Sequence, residues 1–432
     1  MTSGQAVRPS PAIVPAPAPS PWPVRRLFPL LATVALIAIG VIGTTVVGPH
    51  LIGRSRWSLP DDLWGTLVAA QRLLHLDLGG LYTQPTGLVT FPGAAVILAP
   101  LVAVTDAAGL SLQHPGPHNQ HPAVWLVACP YVTAISAVAL FAADALAERL
   151  RVSRPKRFFL AAASAVALWN VSVQWGHPED AVAVGLLLFG ILALSEARTA
   201  RSAWLVGAAI AVQPLVLLAL PILLAVIEPR RVPGFLARAA APAAVLLSAA
   251  AAANWHATYS AVTRQPNWPT VDHPTPWTPL APHMAAGAVA DGPFRLLAIL
   301  VACGCALIVG WRLRAARHAA RWSGETLSEL LWWSALALAL RCVFEPVMVA
   351  YYLWPALAVA LIAATRTWPR LFAASVIAAA VTFGAQSTWR SPWGWWGSMV
   401  AGLGLTLFFA YVPLRSSPRG QPDVGFLDGR QP

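Results

Sequence analysis

Long apolar runs recur from one end of this chain to the other, and they limit its possible folds more than any other feature. A helix of about 20 apolar residues is long enough to cross the roughly 30 Å hydrocarbon core of a bilayer. Because that core offers no water to backbone N–H and C=O groups, such runs are expected to be helical. The runs lie at residues 27–47, 88–105, 123–147, 158–175, 181–195, 203–227, 239–254, 294–311, 328–344, 350–365, 371–386 and 396–413. The sequence therefore predicts an all-α, polytopic helical membrane protein.

Composition supports this class and argues against a nucleic-acid partner. Of the 432 residues, 57% are hydrophobic and 11% are charged, which is not the composition of a soluble domain. The net charge is +12, but Lys and Arg lie in short clusters between apolar runs, as the positive-inside rule requires. The four cysteines lie in or beside apolar runs without metal or disulfide spacing. The membrane is the expected partner, and nucleic-acid binding is not expected.

The two ends of the chain differ from the apolar body. Residues 1–26 are rich in Pro, Ala and Ser and predict a disordered cytoplasmic N-terminus. Arg25 and Arg26 precede the first apolar run without a small-residue cleavage site, which is typical of an uncleaved signal anchor. Residues 27–414 form the predicted transmembrane domain, and the polar residues 415–432 form a predicted cytoplasmic tail.

Counting every run as a full crossing conflicts with the charge rule, because it places the basic loop at 149–157 outside. The preferred topology makes 88–105 a short hairpin or in-plane segment that returns to the outer face. It also breaks 203–227 at Gln213-Pro214, where proline removes a helical hydrogen bond, so that this run returns to the cytoplasm. Roughly 10–13 membrane segments result, some short or re-entrant, with external loops at 48–87 and 254–293. The cytoplasmic loops then hold the main basic clusters at 149–157, 198–201, 230–238, 312–321 and 366–370.

The first external loop carries an acidic pair followed by an amphipathic stretch. Asp61 and Asp62 precede residues 63–78, where apolar residues recur at helical spacing among polar ones. This pattern predicts a helix lying in the plane of the membrane interface. The glycines of Gly79-Gly80-Leu81-Tyr82 end the predicted helix, and Phe91-Pro92-Gly93 leads into the next apolar run.

This succession of motifs resembles the first external loop of GT-C glycosyltransferases, in particular bacterial polyprenyl-phosphate-mannose-dependent mannosyltransferases. The likeness covers much of the chain loosely and a few short motifs closely. It implies a lipid-phosphate sugar donor and an aspartate in this loop as catalytic base. Two motifs depart from the family: Gln213-Pro214 stands where many relatives have Lys-Pro, and Phe91-Pro92-Gly93 replaces the commoner Tyr-Pro-Pro. The missing lysine puts its role in doubt here.

Asp61 and Asp62 are the candidate catalytic residues. Glycosyl transfer needs a carboxylate to take the proton of the acceptor hydroxyl, where the donor phosphate and the acceptor meet. Asp62 is favoured over Asp61. The alternative is structural, because acidic residues before a helix also cap it and complement its dipole.

A short polar turn between two apolar runs holds His177, Glu179 and Asp180. These groups are costly at membrane depth unless they are paired. In the preferred topology they lie on the same side as Asp62. We predict that His177 binds the donor and that Glu179 and Asp180 support the site or contact the acceptor. An ordinary turn with a helix cap is the alternative.

A third motif lies late in the chain. Arg341 and Glu345 are spaced to pair on one helix face and precede Tyr351 and Tyr352. The family resemblance implies donor-phosphate binding by this segment, which suits the forked guanidinium of arginine. The alternative is an internal salt bridge with the tyrosines as interface anchors.

Further aromatic residues are candidates for acceptor contacts. Tyr82 follows the amphipathic stretch, and Trp255 and Trp268 lie in the Pro-rich loop 254–293. Their rings suit the apolar faces of sugars, but they suit an interfacial cap equally well.

No cofactor is expected. His114, His118 and His121 are interleaved with prolines and match no known metal motif, so a divalent metal is possible but is not predicted. No glycine-rich phosphate loop indicates a nucleotide site.

The sequence is interpreted as a membrane glycosyltransferase that moves a sugar, with mannose favoured, from a polyprenyl-phosphate donor to a lipid or glycan acceptor outside the plasma membrane. A transporter or lipid flippase is the rival, and it requires ionisable residues at mid-span. A catalytically inactive GT-C-like scaffold is a third hypothesis, for which Gln213 is the one hint.

Overall fold

A computed structural model describes residues 22–43, 59–83, 88, 90–113, 122–316, 322–387 and 393–411. Most of the predicted disordered segment 1–26 and of the predicted tail 415–432 therefore lies outside the described residues. The first helix among the described residues begins at Trp22, inside the segment predicted to be disordered. The ring of Trp22 stacks on Phe141, with ring centroids 5.8 Å apart, which ties this first turn to the helical body.

The described chain is mostly helical and has only four strands of two residues each, which confirms the prediction of an all-α chain. Each predicted apolar run coincides with one or more helices. The α-helices are α1 Trp22–Arg25, α2 Leu27–Ile42, α3 Asp61–Leu74, α4 Gly93–Ala107, α5 Pro122–Ser136, α6 Val138–Arg149, α7 Arg154–Trp169, α8 Pro178–Ser195, α9 Thr199–Val212, α10 Leu220–Leu224, α11 Val232–Ala253, α12 Trp255–Thr263, α13 Phe294–Ala316, α14 Gly324–Phe344, α15 Trp354–Ala364, α16 Trp368–Gly384 and α17 Gly394–Ala410.

Five helical segments among the described residues are long and apolar enough to cross a membrane, by length and composition. Seven further apolar helices are shorter. The membrane character of the chain is thus supported, whereas the number of 10–13 membrane segments stays a prediction. The five segments are Ala123–Arg149, Pro178–Ser195, Pro229–Ala253, Phe294–Arg312 and Gly324–Phe344.

The preferred topology contains two irregular segments, and the structure agrees with the prediction for only one of them. The run 88–105 does not form a hairpin, because α4 continues unbroken from Gly93–Ala107 with Pro100 inside it. A helix of 15 residues is only about 22 Å long, so the in-plane alternative stays a prediction. The break in 203–227 is confirmed: α9 ends at Val212, Gln213 is extended, and a 3₁₀ helix follows at Pro214–Ala219.

The amphipathic helix of the first loop is present but shorter than predicted. Helix α3 ends at Leu74 instead of continuing to 78, and Leu76 takes a positive φ of 58°. The glycine pair lies in a separate 3₁₀ turn, Leu78–Gly80, where the Asp77 carboxylate accepts a hydrogen bond from the Gly80 N–H at 3.0 Å. This local bond gives the backbone an alternative to the helix. The orientation of α3 in the interface plane stays a prediction.

Basic loops gather at one end of the helical body. Lys156 donates to the Arg366 carbonyl at 2.9 Å, and Arg149 donates to the Ser195 carbonyl at 3.2 Å. Ser195 is the last residue of α8, which has 18 residues and is therefore about 27 Å long. The predicted polar turn around His177 lies at the opposite end of that helix.

The loop 254–293 is fastened to the end of α14 rather than free. It carries β1 Pro266–Asn267 and β2 His273–Pro274, and it ends with β3 Val289–Ala290. Strand β1 pairs with β3, and β2 pairs with β4 Val347–Met348, both antiparallel. The second pairing brings this loop beside the Arg341–Tyr352 segment.

Candidate active site

A tight turn before α8 presents His177 to the start of α3. The turn follows a π-helical segment, Asn170–Gln174, and contains Gly176 at a φ of +67°. A Cβ at Gly176 would lie 2.9 Å from the Leu63 Cβ. Only glycine therefore suits both the backbone conformation and the close approach of the two segments.

His177 bridges two carboxylates that come from different parts of the chain. Its Nε2 lies 3.1 Å from Asp62 Oδ2, and its Nδ1 lies 2.6 Å from Glu179 Oε1. The side chains of His177 and Glu179 are buried, whereas that of Asp62 is 53% exposed. A half-exposed carboxylate is thus held by a buried histidine, and the predicted proximity of these motifs is present.

The two carboxylates determine the protonation of His177. Burial by itself lowers the pKa of the imidazole, but the charges and hydrogen bonds of Glu179 and Asp62 outweigh burial and raise this pKa to about 10. His177 is therefore an imidazolium at neutral pH, and both of its ring nitrogens donate. This arrangement fixes the orientation of the Asp62 carboxylate.

The raised pKa of His177 predicts a pH dependence of stability. The folded state binds this proton more tightly than the unfolded state, whose histidine has an ordinary pKa of about 6.5. The stabilisation is therefore complete below about pH 6.5 and is lost as pH rises through about 10. We expect the melting temperature of the detergent-solubilised protein to fall across this range, and to fall less in His177→Gln. An equal slope in both proteins would contradict the assignment.

The close packing at Gly176 predicts a large effect of one methyl group. Gly176→Ala combines a strained positive φ with the Leu63 contact, so we expect a loss of roughly 2–3 kcal/mol. Gly109→Ala is the matched control, because Gly109 has a φ of +66° and nothing within 4 Å of an added Cβ. Thermal unfolding of the two variants separates backbone strain from the contact. Equal losses would show that the packing against α3 contributes nothing.

Two tyrosines link His177 to the third predicted motif. The Tyr351 ring stacks on the His177 ring with centroids 3.9 Å apart, and it meets Tyr352 edge to face at 5.0 Å. The Arg341 guanidinium lies 3.5 Å from the centre of the Tyr352 ring, a cation–π contact. Arg341 Nε also lies 3.9 Å from Glu345 Oε1. The structure thus brings the second and third predicted motifs together.

The broken helix at Gln213 contributes to the same network. Gln213 Nε2 donates to Asp180 Oδ1 at 2.7 Å, and Thr90 Oγ1 donates to Gln213 Oε1 at 3.0 Å. The Tyr82 hydroxyl donates to the Thr90 carbonyl at 3.0 Å, which places this predicted residue behind the network. Thr90 was missed by sequence reasoning. The Gln213-Pro214 break was the available signal, because an amide exposed by a broken helix needs partners.

Sequence analysis also missed a pair of charged residues, one of which contacts Glu345. Arg295 forms ion pairs with both Asp291 and Glu345, and Asn267 Nδ2 donates to Asp291 Oδ1 at 3.1 Å. Burial raises the pKa of Asp291 to about 6, against the opposing charge of Arg295. Glu345 is held mainly by Arg295, since Arg341 is farther away, so the simple pair of Arg341 with Glu345 is only part of the arrangement.

Three predicted residues lie apart from the network. Asp61 is exposed in the first turn of α3, where its charge suits the helix dipole, and Asp62 rather than Asp61 contacts His177. Trp255 is 61% exposed and stacks on Tyr259. Trp268 is 40% exposed. Neither tryptophan has a ring contact or hydrogen bond with the network in the described structure.

The centre of the network retains unused hydrogen-bonding capacity. Arg341 Nη1, Asp180 Oδ2 and Glu179 Oε2 are buried and have no hydrogen-bond partner among the described residues. Unpaired buried polar atoms are costly, and a bound ligand, a water or a catalytic role is among the explanations for them. The network therefore has the charge and the capacity to bind a polar ligand beside Asp62.

Metal binding has no support in the described part of the chain. No group of three or more His, Cys, Asp or Glu side chains there is arranged to hold a metal ion. The histidines considered in the sequence, His114, His118 and His121, lie outside the described residues.

The fold and the site together define an all-α protein of apolar helices with a buried charged network at one end. No model of a known protein family matches the chain, and no curated protein matches it. The function is therefore argued from the site and from the sequence motifs.

Proposed function

We propose that this protein is an integral membrane glycosyltransferase of GT-C type. It transfers a sugar, with mannose favoured, from a polyprenyl-phosphate donor to a hydroxyl of a lipid or glycan acceptor at the outer face of the plasma membrane. The observation that carries the proposal is the half-exposed Asp62 carboxylate, held by the buried His177–Glu179 pair. General bases of this kind combine access to the substrate with a fixed orientation.

The proposed step is a displacement at the anomeric carbon of the donor sugar. The Asp62 carboxylate takes the proton of the acceptor hydroxyl while the acceptor oxygen forms a bond to that carbon. The bond between the carbon and the phosphate oxygen breaks, and polyprenyl phosphate leaves with the bonding electrons. Asp62 then returns its proton to the solvent, to which its side chain is exposed.

Donor-phosphate binding is assigned to the cations beside Asp62. Arg341 has a buried Nη1 without a partner, and its guanidinium is oriented by the Tyr352 ring. A phosphate oxygen suits such a donor, because arginine binds phosphate with two parallel hydrogen bonds. His177 supplies a second positive charge, and Tyr351 packs between the two segments.

The outer-face location rests on charge distribution. The network lies at the end of α8 opposite the basic loops around Arg149 and Lys156. Basic loops are enriched on the cytoplasmic side of bilayers. Asp62 and its partners are therefore assigned to the outer side, where a lipid-linked donor and an exported acceptor meet.

The positions of the charged groups argue against a transporter. Asp180 lies in the first turn of α8 and Arg341 in the last turn of α14. A transport pathway would need ionisable residues near the middle of such spans. The charged residues of the network instead lie at helix ends, a position that suits a reaction at the membrane surface.

The donor class is the first feature to test. Membranes with and without the overexpressed protein would be incubated with radiolabelled polyprenyl-phosphate mannose, polyprenyl-phosphate arabinose or a mannose nucleotide. We expect a new labelled glycolipid or glycan from a polyprenyl-phosphate donor only, and only with the protein present. Transfer from the nucleotide alone, or no transfer from any donor, would contradict the proposal.

A further inference from the structure

A large cavity lies along the outside of α8. Its volume is about 850 Å³, which is within the range of ligand-binding cavities. Residues from α4, α5, α6, α8 and the segment 22–26 form its walls, with Ile97, Ile135, Val138 and Phe189 among them. These walls are predominantly apolar.

The cavity is long as well as apolar. Val182 and Leu192 both line it and are ten positions apart in α8, so the cavity follows this helix for about 15 Å. Tyr131 in its wall uses its hydroxyl to donate to the Ile97 carbonyl at 2.7 Å, which leaves the ring facing apolar neighbours. A flexible hydrocarbon chain matches this shape better than a compact polar molecule.

One end of the cavity is basic. Arg198 and Arg201 line it beyond the last turn of α8, and both are exposed. Glu196 pairs with Arg198 at 3.2 Å, whereas Arg201 has no carboxylate within salt-bridge distance in the described structure. This end therefore carries an excess of positive charge.

A third arginine at this end is already neutralised. Arg26 lines the cavity, but its guanidinium lies 2.8 Å from Asp144 and 2.7 Å from Glu148. Among the described residues, the unpaired positive charge at this end is therefore that of Arg201, which lies beside the Arg198–Glu196 pair. Basic pockets between membrane helices are suited to acidic lipid headgroups.

We propose that this cavity binds an anionic phospholipid, with an acyl chain along α8 and the phosphate at Arg198 and Arg201. The apolar walls select a lipid over a soluble phosphate, and the basic end selects an anionic lipid over a zwitterionic one. The basic end of the site lies at the other end of α8 from the Asp62 network, about 27 Å away along the helix, whereas the apolar part reaches Val182, two positions from Asp180. The proposed phosphate position at Arg198 and Arg201 is therefore separate from the proposed donor-phosphate position at Arg341.

Native mass spectrometry of the full chain, released from detergent, tests this site. The protein would be incubated with phosphatidylglycerol or with phosphatidylcholine of the same acyl chains. We expect preferential binding of phosphatidylglycerol, weakened by about tenfold in the double variant Arg198→Gln/Arg201→Gln. Arg230→Gln/Arg231→Gln is the matched control, because this exposed pair also includes one arginine bound to a glutamate, Glu228.

A second variant tests the apolar part of the site while the arginines stay intact. Ala134 lines the cavity and is exposed within it, so Ala134→Trp fills space there without disturbing the packed interior. We expect it to reduce binding of both lipids, with an unchanged melting temperature. Equal binding of the two lipids by wild type, unchanged binding in the Arg198/Arg201 variant, or equal loss in the control variant would each overturn the proposal. None of these results depends on sugar transfer.

Discussion

Sugar transfer is expected to fall by roughly 10²–10⁴-fold when Asp62 is replaced by asparagine, the usual contribution of a general base. Asparagine keeps the shape of the side chain and an oxygen that accepts the hydrogen bond from His177, but it takes no proton from the acceptor. Because the Asp62 side chain is 53% exposed, the protein is expected to fold normally. Initial rates with a radiolabelled polyprenyl-phosphate sugar, together with thermal unfolding, measure both properties.

Asp61→Asn is the matched control for this variant. Asp61 lies in the same helical turn and carries the same charge, but it is exposed and Asp62 holds the contact to His177. We expect Asp61→Asn to retain most of the activity. If both variants lose activity equally, the local negative charge is what matters, and if Asp62→Asn stays active, Asp62 is not the base.

The second large effect is expected at Arg341. Arg341→Lys keeps the positive charge but loses the planar fork and its contact with the Tyr352 ring. We expect a folded protein whose KM for the donor rises by about tenfold or more, with a smaller change in kcat. Arg341→Met removes a positive charge that lies beside buried acidic side chains. We expect its free energy of unfolding to fall by about 3–5 kcal/mol, and its activity to be lost as well.

The conservative variant Arg341→Lys distinguishes a role of Arg341 in donor binding from a structural role. Arg312→Lys is the control for Arg341→Lys. Arg312 also pairs with a buried acid, at 3.2 Å from Glu329, but this pair lies near the start of α14, whereas Arg341 lies near its end. We expect this control to leave the donor KM unchanged. A normal donor KM in Arg341→Lys, or an equal rise in both variants, would remove Arg341 from the phosphate site.

Much of the helical framework could be predicted from apolar runs alone, because helix formation in a membrane leaves few alternatives. The break at Gln213-Pro214 was predictable because proline removes a helical hydrogen bond. The hairpin at 88–105 was wrong. It was inferred from the positions of the basic loops, which do not determine local backbone structure, and residues Gly93–Ala107 form one helix that accommodates Pro100.

The site was predictable where its residues belong to local motifs. The acidic pair, the polar turn and the Arg341 segment were each visible, and the predicted topology put them on one side. Their contacts were not predictable in detail. His177 meets Asp62 across 115 positions of sequence, and the turn that permits this depends on one positive φ at Gly176.

Arg295 and Asp291 could not have been assigned from sequence. Arg295, which pairs with Asp291, reaches Glu345 where the loop 254–293 pairs through β2 and β4, strands of two residues each. Strands this short have no alternating pattern to detect. The position of the loop is set by tertiary hydrogen bonds, such as that from Trp277 Nε1 to the Val343 carbonyl at 2.6 Å.

The most direct test of the proposed activity is transfer by the purified protein in liposomes. Reconstituted protein would receive a labelled polyprenyl-phosphate mannose and an acceptor-containing lipid extract, and both products would be measured over time. The proposal predicts that polyprenyl phosphate and mannosylated product appear in equal amounts, and that Asp62→Asn yields neither. Release of polyprenyl phosphate without mannosylated product, or no consumption of polyprenyl-phosphate sugar by well-folded protein, would contradict it.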